Sequence, residues 1–417
     1  MNRRVAICIA AFISLVAVAC KKTPAADSVC GYEPLPATTD VPAGQGAILT
    51  QAGTDTYFYV LDSAGKQLGS AHVNGSLPLK PGDYRVKVNN STHAASVQSK
   101  MITKCSTGGV LVDGKTDENY YIFDGAGTQL AAAHVGAALS LFPGSYQVRL
   151  NNSITPANVP AGAPLGLKPG TVSVDAPTDE NYYIFDAAGT QLAGSHVNRP
   201  VGLFAGSYTV KINNSETKAD VRAGEPANLP VSTLVTEGST DENYYVFNTA
   251  ATQLASAHLG RPLALFPGSY NVKLNNSSVS ASVTAGSPMA IRAGSINLQG
   301  STDENYYVFD KAGVQLVSAH LGRAVSLMPG DYTAKLNNAP LAVRAEAGSA
   351  NEYPTGTVTV KAAGSDRYYV LDLSGTQLGS SLFNQAISLP AGKYSVKVGN
   401  NTRPVEVTAG QAAVVDW

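Results

Sequence analysis

The residues with chemical capacity in this chain are spread along it in register and are not gathered in one place. Histidine recurs at His72, His134, His196, His258 and His320, each 62 residues after the last, and Leu382 stands at the next such position. A zinc site draws on three or four protein ligands, which one His per interval cannot supply. Leu382 shows that the place accepts an apolar side chain, so a half-buried packing His is expected. The acidic triplets Asp117-Glu118-Asn119, Asp179-Glu180-Asn181, Asp241-Glu242-Asn243 and Asp303-Glu304-Asn305 offer oxygens, but too few for calcium, and not at EF-hand spacing. Their expected role is turn chemistry at the start of a strand. There is no Gly-rich phosphate loop, no Cys-x-x-Cys and no Ser/His/Asp set within one interval. No catalytic residue, metal or cofactor is expected.

Two further recurrent sets suit binding better than reaction. Lys87, Arg149, Lys211, Lys273, Lys335 and Lys397 are basic at one position in every interval, on the polar face of an alternating segment. The plain expectation is a solvated face with cross-strand carboxylate partners, each pair contributing about 0.2–1 kcal/mol. The alternative is a periodic row of charge that meets an anionic glycan or a membrane surface. Paired aromatics form the second set. Phe58, Tyr120, Tyr182, Tyr244, Tyr306 and Tyr368 share a face with Val or Ile, and Tyr59, Tyr121, Tyr183, Tyr245, Tyr307 and Tyr369 share the other with Leu or Phe. One apolar face must meet the core and the other needs cover, from a neighbouring repeat or a loop. The sharper reading makes Tyr120, Tyr182, Tyr244 and Tyr306 a surface row that stacks on sugar rings or docks a partner.

The spacing itself identifies the elements that position these residues. Tyr84, Tyr146, Tyr208, Tyr270, Tyr332 and Tyr394 lie 62 apart in Pro-Gly or Ala-Gly contexts, and Gln67-Leu68 recurs with the same period without a slip. Six copies follow: 44–105, 106–167, 168–229, 230–291, 292–353 and 354–417. In the third, Thr171–Val174, Tyr182–Phe185, Val201–Leu203 and Tyr208–Ile212 read as strands, with a last strand running to Val221, and Asp186-Ala187-Ala188-Gly189 and Asn213-Asn214 as turns. No segment has helical periodicity, so the class is all-β. The turn glycine (Gly65, Gly127, Gly189, Gly313, Gly375) is replaced by Ala251 in the fourth copy, where a positive φ would be costly. A 62-residue β unit alone is marginal, so neighbours must stabilise one another. With 29 Lys+Arg against 30 Asp+Glu and 44% hydrophobic residues, the chain is neither a basic nucleic-acid binder nor compositionally disordered.

Ahead of the repeats, residues 1–19 read as a signal peptide: Arg3-Arg4, then an apolar run too short to span a bilayer. The run ends Val16-Ala17-Val18-Ala19-Cys20, which resembles a bacterial lipobox, with Ala17 where that motif prefers Leu. The resemblance implies lipidation of Cys20, a tether over 20–43 and anchoring in the bacterial cell envelope, at the outer membrane, through more than one acyl chain. Cys8 leaves with the signal, so Cys30 and Cys105 remain as a pair in an oxidising compartment and are expected to form one disulfide.

The run Pro262-Leu263-Ala264-Leu265-Phe266-Pro267-Gly268-Ser269-Tyr270-Asn271-Val272-Lys273 resembles the PEGA-like and prealbumin-like β-sandwich modules of bacteria, without the Pro-Glu-Gly-Ala tetrapeptide. It implies six tandem small β-sandwiches, envelope-associated and non-catalytic, acting as spacer, scaffold or adhesin. A glycan- or peptidoglycan-binding protein using the Tyr and Lys rows is the alternative function, with a surface glycan or another envelope protein as partner. A six-bladed β-propeller is the alternative architecture.

Overall fold

The structure is a computed structural model that describes residues 29–37 and 39–417. Residues 1–19, read above as a signal peptide, and Cys20 lie outside the described residues. Every regular element among the described residues is a β-strand.

The third module shows how the pattern folds. One sheet has four antiparallel strands in the order Gln191–His196, Asn181–Phe185, Gly206–Ile212, Ser215–Val221. The other has three, with Gly170–Asp175 between antiparallel Val201–Leu203 and parallel Pro226–Pro230. Val172, Val174, Tyr182, Ile184, Leu203, Tyr208, Val210 and Ile212 form one buried cluster between the sheets. The inward side chains alternate along each strand, as a half-buried sheet requires. Tandem β-sandwich modules therefore account for the chain. Seven strands in two open sheets per copy, with no closed barrel, exclude the propeller alternative.

The first module differs by one strand. Cys30–Pro34 pairs antiparallel with Met101–Ser106 and makes its smaller sheet four-stranded, and Cys30 and Cys105 are joined by a disulfide. In the other five modules the equivalent strand is the sheet edge. Pro164, Pro226, Pro230 and Pro354 sit on such edges, the place where a missing ladder N–H is tolerated.

The chain divides into two compact units. One holds the described residues up to Asp113 with Asn119–Arg149 and Thr155–Leu167; the other holds Gly114–Glu118, Leu150–Ile154 and Lys168–Trp417.

Candidate functional site at the module junctions

The Asn-Asn turn supplies the first parts of a recurrent clasp. Asn213 and Asn214 have φ of 46° and 56°, and their flanking residues Ile212 and Ser215 pair directly, which makes a two-residue hairpin of the primed kind. That turn holds both side-chain amides at the tip of the module. Asn213 Nδ2 donates to Glu180 Oε1 at 2.5 Å and to the carbonyl of Ala264, in the next module, at 3.0 Å. Glu180 Oε2 accepts the Ala264 N–H at 3.1 Å and the Thr178 hydroxyl at 2.7 Å. Asn214 donates to the Leu254 carbonyl at 2.7 Å, and the Ser215 hydroxyl accepts the Phe266 N–H at 3.1 Å. Ala264 and the Phe266 ring belong to the buried cluster of the third module. An apolar plug thus carries a polar clasp around it.

The clasp repeats. Glu118 and Asn151 hold Gly202, Glu242 and Asn275 hold Ser326, and Glu304 and Asn337 hold Ser388. Ser153 accepts from Phe204 and Ser277 from Met328. At residue 390 the chain has Pro, which has no N–H, and its partner position is Ala339 in place of Ser. In the first unit Asn89 reaches the Ser140 carbonyl at 3.1 Å and Ser91 accepts from Phe142, while Thr56 replaces the Glu and Thr54 meets the Ser140 hydroxyl. The acidic triplets therefore do more than start a strand: their Glu is a junction residue.

The Asp of three of these triplets, and Asp55 in the first module, pair with the recurrent His. Nδ1 of His72, His196, His258 and His320 lies 3.2–3.8 Å from Asp55, Asp179, Asp241 and Asp303. These imidazoles are 53–58% exposed, which corrects the half-buried packing role expected for them. Their register place opposite the first residue of the Tyr-Tyr strand sets them at the open end of the sheet. The sixth copy lacks both partners, with Ser365 and Leu382. No group of three or more His, Cys, Asp or Glu suited to a metal occurs among the described residues.

The tyrosine row requires a correction. Tyr120, Tyr182, Tyr244 and Tyr306 are fully buried and cannot form a surface for sugars. Their side of the strand faces the smaller sheet, and each hydroxyl lies within hydrogen-bond reach of two carbonyls, such as Val172 and Arg199 for Tyr182 at 3.0 and 2.6 Å. Burial raises the pKa of each phenol above the ordinary 10.0. The outward members are the exposed ones, Tyr183, Tyr245 and Tyr307 at 41, 37 and 39%.

The basic row does face outward, but it is half-buried on aromatic rings. Lys87 lies over Tyr59, and Arg149, Lys211, Lys273 and Lys335 over Phe123, Phe185, Phe247 and Phe309, at 4.4–5.3 Å. Lys397 sits opposite Tyr369. The carboxylate partner expected for each is present only for Lys211, 3.1 Å from Glu216. Opposite the other lysines stand Thr92, Ser278, Pro340 and Thr402, and for Lys87, Lys273 and Lys335 ring faces replace carboxylates as neighbours.

No family model matches the chain, and no curated protein matches it significantly. Among solved structures, the Bacillus anthracis TIE protein aligns at 13% identity over 93% of this chain and 74% of its own, with a TM-score of 0.14. The pilus adhesin SpaC from Lactobacillus rhamnosus GG aligns at 10% identity, TM-score 0.14, with 56% of its length covered. BcpA, the major pilin subunit of Bacillus cereus, aligns at 9% identity over 90% of this chain and 98% of its own, with a TM-score of 0.12. Scores at this level define no shared arrangement of domains, and the module stands on its own strands.

Proposed function

We propose that this chain is a non-catalytic lipoprotein of the bacterial cell envelope whose modules serve as a spacer, scaffold or adhesin stalk. One observation carries the reading. Glu180, Asn213, Asn214 and Ser215, whose counterparts recur in most modules while neighbouring positions drift, are used to hold one module to the next. Repetition here serves the docking of neighbouring units. The lipobox-like Cys20, the PEGA-like run and the oxidised Cys30–Cys105 pair support an envelope address outside the cytoplasm.

Glycan binding is the second reading, now on different residues: exposed Tyr183, Tyr245 and Tyr307 beside Lys211, Lys273 and Lys335. Cosedimentation with purified cell-wall material separates the two. A scaffold predicts that the Lys211→Gln, Lys273→Gln, Lys335→Gln triple variant sediments as the parent does. Loss of salt-sensitive binding in that variant would overturn the scaffold reading in favour of the glycan one. For the anchor, Cys20→Ser should move the protein out of the membrane fraction; retention through detergent-free washing would refute it.

A further inference from the structure

The first and sixth modules lack the junction parts on complementary sides. On the receiving side, the third to sixth modules offer an N–H at residue 202, 264, 326 or 388 to the Glu of the module before. The first module has Pro78 at this place, which has no N–H to offer. Two residues on, where Phe142 and Phe266 plug the core before them, the first module has exposed Lys80. On the same face Leu68 is 47% exposed, whereas its counterparts Leu192, Leu316 and Leu378 are 9, 8 and 6% exposed and Leu130 and Leu254 are half-buried. On the donating side, the sixth module has Asp366 for the Glu, Gly399 for the Asn and Asn401 for the Ser. Gly399 keeps the left-handed turn, with φ of 56°, but has no amide to extend.

A head-to-tail contact joins two different surfaces and so does not close on itself; repeated between molecules it grows without limit. Contacts of this kind recur along the chain, so the same contact between two copies is a hazard wherever a receiving face or a donating tip is exposed. Pro and Lys on an exposed strand are the usual means of blocking such growth. We propose that the first and sixth modules carry stops against a second copy of this chain: Pro78 and Lys80 at the receiving face, and Asp366, Gly399 and Asn401 at the donating tip. The inference concerns association and is independent of the envelope reading.

The stops can be removed or moved, using the full chain with Cys20→Ser so that lipid drives no association. Opening the receiving face (Pro78→Ser, Lys80→Phe, as at Ser140 and Phe142) and opening the tip (Asp366→Glu, Gly399→Asn, Asn401→Ser, as in the fourth module) introduce residues that already occupy those places in other modules. In sedimentation velocity the parent and each half-opened chain should run as monomers. A mixture of the two half-opened chains should stop at one-to-one dimers, and the doubly opened chain should grow with concentration. Moving the stop inward, Ala264→Pro with Phe266→Lys, should raise hydrogen exchange at the junction of the third and fourth modules by at least tenfold while strand amides inside each module stay protected. A doubly opened chain that remains monomeric, a parent that elongates, or an inward stop that leaves the junction protected would each overturn the proposal.

Discussion

Tyr244 and Tyr245 are neighbours of one residue type on one strand, and the sheet divides them completely. Tyr244 is sealed between the sheets with its hydroxyl against the carbonyls of Leu234 and Arg261. Tyr245 lies on the outer face opposite Lys273, 37% exposed. Both recur in nearly every copy, so recurrence alone does not distinguish a core residue from a surface one. What distinguishes them is the alternation of the strand against a second sheet, and the availability of two carbonyls to a phenol that enters the core.

Truncation should show the largest contrast. Tyr244→Ala leaves a cavity and removes a hydroxyl from two carbonyls, and should cost about 3–5 kcal/mol. Tyr245→Ala should cost below about 1 kcal/mol. Hydrogen exchange of fourth-module amides reads both without assuming that six modules unfold as one. Comparable losses at the two sites would show that the outer face is covered by something.

Tyr244→Phe keeps the ring and should cost about 1–2 kcal/mol. It also isolates a pH effect. Burial raises the folded-state pKa of these tyrosines, to about 12 for Tyr368 from 10.0. The unfolded phenol therefore loses its proton first, and the stability held below pH 10.0 falls as pH rises from there toward 12. Alkaline unfolding followed by exchange should spare the first module, where Phe58 takes this place. First-module amides that open with the rest between those pH values would count against the assignment.

The turn that ends the strand comes next in size. Ala251 adopts φ of 60°, where the other copies have Gly at 81–87°. The side chain of Asn248 accepts from Ala250 and Thr252 in the same manner as Asp186 in the third module. Ala251→Gly should stabilise the fourth module by about 1 kcal/mol, measured as a slower opening of its hairpin. The smallest effect belongs to the outer row: Lys273→Gln removes a cation 4.7 Å from the Phe247 ring and should change stability by below about 0.5–1 kcal/mol.

Much of the fold is legible from spacing. The period, the Pro-Gly-Tyr strand and the Asn-Asn turn define an all-β module before any coordinates are considered. Two strands escape that reading. Pro226–Pro230 contains the residue that argues against a strand, and is an edge paired in parallel on one side only. Gln191–His196 alternates small and polar residues on a partly exposed edge and carries little apolar signal. The faces of Tyr182 and Tyr183 were not separable because both sides of the strand are apolar. The junction clasp was hidden because its partners are 33, 51 and 84 residues apart. A signal was nevertheless present in the exceptions: Glu, Asn and Ser are all missing from the sixth copy, and Ala339 accompanies Pro390.

The Cys30–Cys105 bond has a mechanical consequence. Tension applied to the chain before Cys30 and carried onward past Cys105 passes through sulfur, so residues 31–104 between them bear none of it. The first module cannot be drawn out by pulling, however weak its sheets. The modules beyond it have no such bypass and lie directly in the line of load. Cleaving the one bond would release about 250 Å of extensible chain at about 3.4 Å per residue, turning the least extensible segment of the molecule into one as yielding as the others.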